Sequence, residues 1–319
     1  MDNEFILFDR LQKIRQIIGK YGEENFYISF SGGKDSTVLS ALIDMALPDN
    51  KIPRVYANTG IELNMIRDFV FDMAKADDRV VIIKPSVPIK QMLERDGYPF
   101  KSKAHSNYVK KYQKKGFDYK SVRAYIKLEP TLSGKPIFQA CPKKLLYQFT
   151  SDNKLKISDM CCYRMKEEPL DKWAKEHKKE YGITGVMRDE GGRREKSSCL
   201  SFKSGKLNFF QPLVPITKTW EEWFITNYGI KICDIYKPPY NFERTGCKGC
   251  PFALHLQEEL DTLQKYFPNE RKQCEAIWKP VYGEYRRLKY RLKDDPTIQI
   301  EENIKGQLTF DVSGNITED

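Results

Sequence analysis

The chain has 319 residues and a formal net charge of +10, with 54 Lys and Arg against 44 Asp and Glu. That length can bury a sizeable core, and it admits one large domain or a domain with a helical appendix. No apolar run nears the roughly 18 residues that cross a bilayer, and the opening Met-Asp-Asn-Glu-Phe lacks the basic-then-apolar order of a secretory signal. A cytoplasmic, non-membrane protein is therefore expected, in which eight cysteines point to metal or catalysis before disulfides.

In chain order, Phe5, Ile6, Leu11, Ile14, Ile17 and Ile18 repeat at helical spacing and predict a helix over 4–20. Residues 26–30 (Phe-Tyr-Ile-Ser-Phe) read as a buried parallel strand. Ser31-Gly32-Gly33-Lys34-Asp35-Ser36 follows, and a helix opens through Thr37-Val-Leu-Ser-Ala-Leu-Ile. Glycines let the backbone turn tightly and come close to a ligand. The orphan amides and positive dipole end of the helix then favour an anion. The spacing differs from the Gly-x4-Gly-Lys-Ser/Thr loop.

Arg54–Asn58 is predicted as a second strand, leading through Thr59-Gly60-Ile61-Glu62 to a helix with Met65, Phe69, Val70 and Met73 on one face; Val80–Ile83 is a third strand. This βαβ series implies a parallel sheet with right-handed crossovers. A fourth strand is placed at 181–186 and a fifth element near 208–212. The fold class is thus α/β, a doubly wound, mainly parallel sheet of about five strands with a C-terminal helical part. Residues 97–150 lose all periodicity and predict an inserted, partly helical lid or substrate arm. Helical spacing returns from His255 to Lys293, and a polar tail ends the chain. The expected division is 1–255 for the α/β domain, insertion included, and 256–319 for the helical extension.

Basic residues cluster at Lys101–Lys103, Lys110–Lys115, Lys143-Lys144, Arg193-Arg194 and Arg286–Lys293, with Tyr108, Tyr112, Tyr119, Tyr285 and Tyr290 among them. Such a mixture suits phosphate neutralisation plus base stacking, so a nucleic-acid partner is expected from residues 101–125 and 286–293.

Cys161 and Cys162 are adjacent, and Cys247-Lys-Gly-Cys250-Pro251 forms a Cys-x-x-Cys turn. A turn of that kind places two thiolates on one metal or cluster, and the adjacent pair is the natural source of two more. Four thiolates suit tetrahedral zinc or a [4Fe–4S] cluster. Of the other cysteines, Cys274 lies on an apolar helical face, Cys199 follows the arginines as a candidate sulfur carrier, and the lysines after Cys141 would favour its thiolate. With three histidines in all, a His-based metal site is poorly supported; His105 among lysines is the one placed for a ligand role.

The Ser31–Ser36 segment resembles the PP-loop of the adenine-nucleotide α-hydrolase superfamily. Cys-Cys followed some eighty residues later by Cys-x-x-Cys resembles the adenylyl-sulfate reductases within the phosphoadenylyl-sulfate (PAPS) reductase family. So do Arg164-x-Lys166 with Pro169-Leu170, Asn58-Thr59-Gly60, Gly185-Val-Met-Arg188-Asp-Glu190, and Pro212-Leu-Val-Pro-Ile-Thr ahead of Trp220 and Trp223. The chain departs from that family in having no Glu-Cys-Gly-(Ile/Leu)-His tail and no cysteine after Cys274. In this it is closest to DndC-like members, with sulfur-inserting tRNA enzymes as more distant cousins.

The resemblance implies ATP, adenylyl sulfate or PAPS as ligand, Mg2+ beside Asp35, and a [4Fe–4S] cluster (or Zn2+) on Cys161, Cys162, Cys247 and Cys250. It implies phosphate or nucleotide contacts from Ser31, Gly32, Gly33, Lys34, Asp35, Ser36, Thr59, Gly60, Arg164, Lys166, Arg188, Arg193 and Arg194. Asp35, Arg188 and Cys199 become candidate catalytic residues. The reaction implied is ATP-dependent sulfur transfer to an acceptor, with DNA or tRNA as candidates and a cysteine desulfurase as a candidate sulfur donor. Sulfonucleotide reduction by a non-tail thiol and a non-enzymatic nucleotide- or nucleic-acid-binding subunit are the alternatives.

Overall fold

Alternation along Phe26–Phe30 builds the centre of the sheet: Phe26, Ile28 and Phe30 enter one apolar cluster and Tyr27 another on the opposite face. In the computed structural model, residues 2–127, 130, 140–293, 309–310 and 316–317 are described, with backbone alone for 190, 192, 193 and the last two pairs. Most of the expected polar tail lies outside the described residues. The chain forms two compact units. The first comprises Met1–Asn58, Glu62–Ser86 and Lys166–Thr245; the second comprises Thr59–Ile61, Val87–Met165 and the chain from Gly246.

The first unit opens with α1 (Asn3–Tyr21), β1 (Phe26–Phe30) and α2 (Lys34–Ala46), then β2 (Arg54–Ala57), α3 (Asn64–Ala76) and β3 (Val80–Ile83). After the passage through the second unit come α7 (Glu168–Glu176), β4 (Tyr181–Ile183), β5 (Leu200–Lys203), β6 (Lys206–Phe210) and α8 (Lys218–Asn227). The sheet order is β3-β2-β1-β4-β6-β5. Every pairing is parallel except β5 with β6, and the register sets Ile28 beside Arg54 and Ile183.

Six strands replace the expected five because β5 and β6 form a hairpin. Ser204 and Gly205, at φ 51° and 79°, make a two-residue turn between Lys203 and Lys206. Only Leu200 and Phe202 of β5 are large and apolar, so its sequence signal is weak. Leu39, Leu42 and Ile43 of α2, Ile14 and Ile17 of α1, and Trp220 and Phe224 of α8 cover one sheet face. Trp173 and Ala174 of α7 cover Tyr27 and Val55 on the other, so helices lie on both sides.

The second unit holds α4 (Ile89–Asp96), α5 (Lys103–Lys115) and α6 (Lys120–Tyr125), joined after residue 246 by α9 (Leu256–Tyr266) and α10 (Pro268–Arg287). Residues 97–150 are partly helical as expected, and they share a unit with the C-terminal helices. Leu256, Leu260 and Leu263 form the buried stripe of α9; Cys274, Trp278, Val281, Tyr282 and Tyr285 form that of α10.

Candidate functional site

In the first unit, β1 ends at Phe30 and the chain turns through Ser31-Gly32-Gly33 into α2. Gly32 has φ +69°, and a Cβ there would lie 2.5 Å from Val70 Cγ2 and 3.0 Å from Ile66 Cγ2 of α3, so only glycine fits. Gly33 caps α2, and its N–H donates to Ser31 Oγ over 3.2 Å. Ser36 Oγ lies 3.0 Å from Ser31 Oγ and donates to Gly33 O over 2.9 Å, tying both ends of the turn together. Gly185, beyond β4, brings its backbone so close that a Cβ would stand 3.1 Å from Asp35 O. The result is a rigid cradle at the positive end of a 13-residue helix, the geometry that binds an anion.

Side chains around the cradle include several that sequence reasoning missed. Lys34 is half-buried, and its Nζ lies 3.4 Å from Glu221 Oε2 of α8. Glu221 is completely buried, and neither of its carboxyl oxygens has a well-formed hydrogen bond. Burial, together with the charge of Asp35, pushes the Glu221 carboxyl up to about 7 against the pull of Lys34. Tyr236 and Thr245 share a hydroxyl–hydroxyl bond beside Gly33, and the Lys34 amide donates to the Tyr236 phenol. Arg194 feels both Arg244 and Asp35; burial and the neighbouring Arg244 lower its guanidinium pKa, while Asp35 opposes them. Arg244 stands three residues before Cys247, which is the one sequence signal that could have drawn attention to it.

The remaining expected contacts divide between the two units. Arg188 is exposed, and its Nε donates to Ser197 O over 2.9 Å. The side chain of Arg193 lies outside the described residues. Lys166 belongs to the first unit, at the π-helical turn Tyr163–Glu167. Arg164, in the second unit, pairs with Asp96 at 3.2 Å. Thr59 and Gly60 also belong to the second unit, where the Lys248 amide donates to Ile61 O over 2.7 Å and joins this turn to the Cys-x-x-Cys segment.

Cys161, Cys162, Cys247 and Cys250 all lie in the second unit. The 247–250 turn is held on every side. Cys250 N donates to Cys247 O over 3.2 Å, Gly249 N to Glu259 Oε1 over 2.8 Å, Trp278 Nε1 to Lys248 O over 3.1 Å and Tyr285 Oη to Pro251 O over 2.8 Å. Lys248 is buried, with Nζ bound by Glu270 and Gln273. Gly249 has φ +58°, and a Cβ there would meet the Tyr282 hydroxyl and stand 2.8 Å from Cys274 Sγ. Cys250 is pushed far above the ordinary thiol range by burial first, and then by the neighbouring Cys247 and Cys162. Crowded, buried thiols of this kind are the donor set that a thiophilic metal relieves, because coordination removes their protons. Among the described residues, no group of three or more His, Cys, Asp or Glu side chains is gathered as tightly as a bound metal requires. The chemistry of the donors fits a thiolate-held centre, while closure of the ligand shell is left to the metal.

The remaining thiols differ from expectation. Burial pushes Cys141 up to about 12, with Lys101 only partly opposing it, so Lys143 and Lys144 do not activate it. Cys199 is half-buried and raised by burial; Arg10, 4.0 Å from its sulfur, pulls the other way. Cys274 is core, as its helical spacing implied. His105, the histidine placed for a ligand role, is fully buried between Tyr125 Oη at 2.9 Å and Gln148 Oε1 at 2.6 Å, a satisfied core histidine.

Residues 138–253 match the phosphoadenosine phosphosulfate reductase domain, and the PAPS reductase resemblance drawn from the motifs stands over that stretch, which includes Cys161, Cys162, Cys247 and Cys250. The chain is 27% identical over 301 residues to an uncharacterized protein of Methanocaldococcus jannaschii, covering 85% of this chain and 58% of that protein. It thus spans little more than half the length of this curated relative. Among solved structures, a PAPS reductase from Candida auris in complex with phosphate is 15% identical, with TM-score 0.42, over 71% of this chain and 82% of that one. The U34-tRNA thiolase NcsA from Methanococcus maripaludis, with its [4Fe–4S] cluster, is 17% identical, with TM-score 0.39, over 96% and 84%.

Proposed function

We propose that the protein is an adenine-nucleotide-dependent sulfur transferase. Its first unit holds the phosphates of ATP, and its second unit carries a thiolate-bound [4Fe–4S] cluster on Cys161, Cys162, Cys247 and Cys250, with zinc as the competing occupant. The observation that carries this reading is the cradle itself: Ser31, Gly32, Gly33 and Ser36 at the start of α2, with Arg194 and Arg244 crowded beside Asp35. Arg194 is half-buried and Arg244 exposed, and Arg forks suit phosphate oxygens.

The reaction balances as two displacements. An oxygen of the acceptor attacks the α-phosphorus, the α–β P–O bond breaks, and pyrophosphate leaves with its electron pair. Hydrosulfide then attacks the activated acceptor carbon, and AMP departs with the oxygen; where the sulfur arrives as a protein persulfide, the resulting S–S link between protein and acceptor is cleaved by an external dithiol, which is oxidised to its disulfide. Amides of the α2 first turn stabilise charge on the phosphates, Arg194 and Arg244 neutralise the departing pyrophosphate, and Asp35 would hold Mg2+ together with phosphate oxygens. A bound cluster supplies iron with affinity for sulfur. Cys199 is the candidate carrier of that sulfur in the first unit.

The test offers ATP, adenylyl sulfate and PAPS separately to metal-replete protein. AMP and pyrophosphate from ATP are the expected products. Sulfite from a sulfonucleotide would instead favour reduction, and binding without turnover a non-catalytic subunit. Cys199→Ser should keep pyrophosphate release and lose sulfur incorporation; unchanged incorporation removes Cys199 from the scheme.

A further inference from the structure

The second unit contains an open cavity of ≈ 420 Å³ lined by Lys110, Gln113 and Lys114 of α5, by Lys154, Lys156 and Ile157, and by Asp96. Four lysines face one carboxylate there, and that carboxylate is already engaged. Asp96 pairs with Arg95 at 2.8 Å and with Arg164 at 3.2 Å, and Arg95 chiefly holds its pKa below the usual range.

The two walls are fixed to each other. Gln113 Nε2 donates to Leu155 O over 2.7 Å, and its Oε1 accepts from Ile157 N at 3.0 Å, so one side chain joins α5 to the 154–157 segment. Tyr98 N donates to Lys156 O over 2.8 Å and Ser158 N to Tyr98 O over 2.9 Å, which anchors that segment from behind. Lys110 is tied to Asp159, and Lys156 to the Arg95 carbonyl. Lys114 stands one helical turn beyond Lys110 on α5 and is exposed.

Three of the tyrosines expected to stack on bases are used in packing. Tyr108 stacks on Tyr125 with centroids 4.2 Å apart, Tyr112 packs on Phe117 and Phe149, and Tyr285 is fully buried against Phe100. The C-terminal basic run is committed too: Arg286 pairs with Glu275, Arg287 with Glu284, and Arg291 donates to Pro251 O. The lysine cavity keeps Lys114 and Lys154 exposed, with the Lys154 ammonium donating to Ser151 O over 2.9 Å.

We infer that this cavity seats backbone phosphates of the nucleic acid that serves as acceptor, reading charge and not base sequence; this rests on the sulfur-transfer reading above. Preformed lysines supply point charges without a stacking platform, so binding is sequence-tolerant and strongly salt-dependent.

The experiment titrates the full-length, metal-replete protein with tRNA, random-sequence duplex DNA and single-stranded DNA, and with inorganic phosphate as competitor, across a salt series. Lys114→Ala/Lys154→Ala should weaken polymer binding at least ~10-fold at ~0.1 M salt. It should also flatten the slope of log K on log salt by ~1.8 on duplex, two phosphates at ~0.9 each. Lys114→Arg/Lys154→Arg should restore both, and ATP binding should be equal in all variants, which reports intact folding. The inference is overturned if no polymer binds, if phosphate binds but polymers do not, or if the Ala pair leaves the slope unchanged. AMP and pyrophosphate release is measured independently of these arms, so failure here is separable from failure of the sulfur-transfer reading. The arm that binds tightest distinguishes RNA from DNA.

Discussion

The Ser31–Ser36 cradle and the Cys247–Cys250 turn solve a similar problem with different resources. Each needs one glycine in the left-handed region at a point of close packing, Gly32 against Val70 and Gly249 against Cys274 and Tyr282. The cradle closes on itself within six residues, through Ser31, Gly33 and Ser36, and one strand and one helix suffice to aim it. The cysteine turn is held almost entirely by distant residues: Ile61, Glu259, Glu270, Gln273, Trp278 and Tyr285. The first should therefore withstand loss of its ligand. The second depends on its surroundings and on whatever joins it to Cys161 and Cys162.

The largest effect is expected at the cysteines. Cys250→Ser should abolish metal retention and lower the melting temperature, because thiolate–metal binding contributes directly to folding free energy. Elemental analysis and thermal unfolding check this, and full metal content in the variant would break the contrast. Next come Gly32→Ala and Gly249→Ala, each combining positive φ with a clash and each expected to destabilise by roughly 2–4 kcal/mol. Their consequences should separate: the first loses ATP binding and keeps metal, the second loses metal and keeps ATP binding.

Arg244→Ala or Arg194→Ala should then weaken ATP binding about 10-fold, as the loss of a hydrogen bond between charged groups predicts. Calorimetry decides whether the two arginines belong to the cradle. A pH effect is expected from Glu221, whose folded-state pKa of about 7 stands above its ordinary 4.5. The native state then binds more protons than the unfolded one between those values, so stability falls as pH rises from about 4.5 to about 7. The change is on the order of 3 kcal/mol, and Glu221→Gln should remove it from a series of denaturant titrations. The smallest effect belongs to Arg188→Ala: an exposed side chain on a carbonyl should change ATP turnover less than about 3-fold. A larger loss would return Arg188 to the catalytic group.

How much was legible in advance follows the same division. The strand at Phe26–Phe30, the glycine turn and the helix after it could be read directly, because period-two apolarity, left-handed glycine and the helix N-terminus are all local. The β5–β6 hairpin was harder, since its turn is Ser-Gly and one strand carries two large apolar residues. Glu221 gave no signal at all: a glutamate in the first turn of a helix is ordinarily a solvated, dipole-favoured residue, and only the packing of α8 against α2 buries it beneath Lys34. His105 and the tyrosines of α5 misled for the same reason, because polar and aromatic residues among lysines look exposed until a neighbouring helix covers them.

By itself, then, the sequence determined the parallel α/β core and the glycine turn that joins β1 to α2, since each depends on residue type at fixed spacing. Tertiary structure alone decided that Arg244 and Glu221 join the cradle's electrostatics, that Thr59 and Gly60 lie with the cysteine turn, and that residues 97–150 share a unit with the C-terminal helices. It also spent the tyrosines on packing and left a lysine cavity. Those outcomes depend on desolvation and charge pairing between segments far apart in the chain, and such terms have no value until the segments meet.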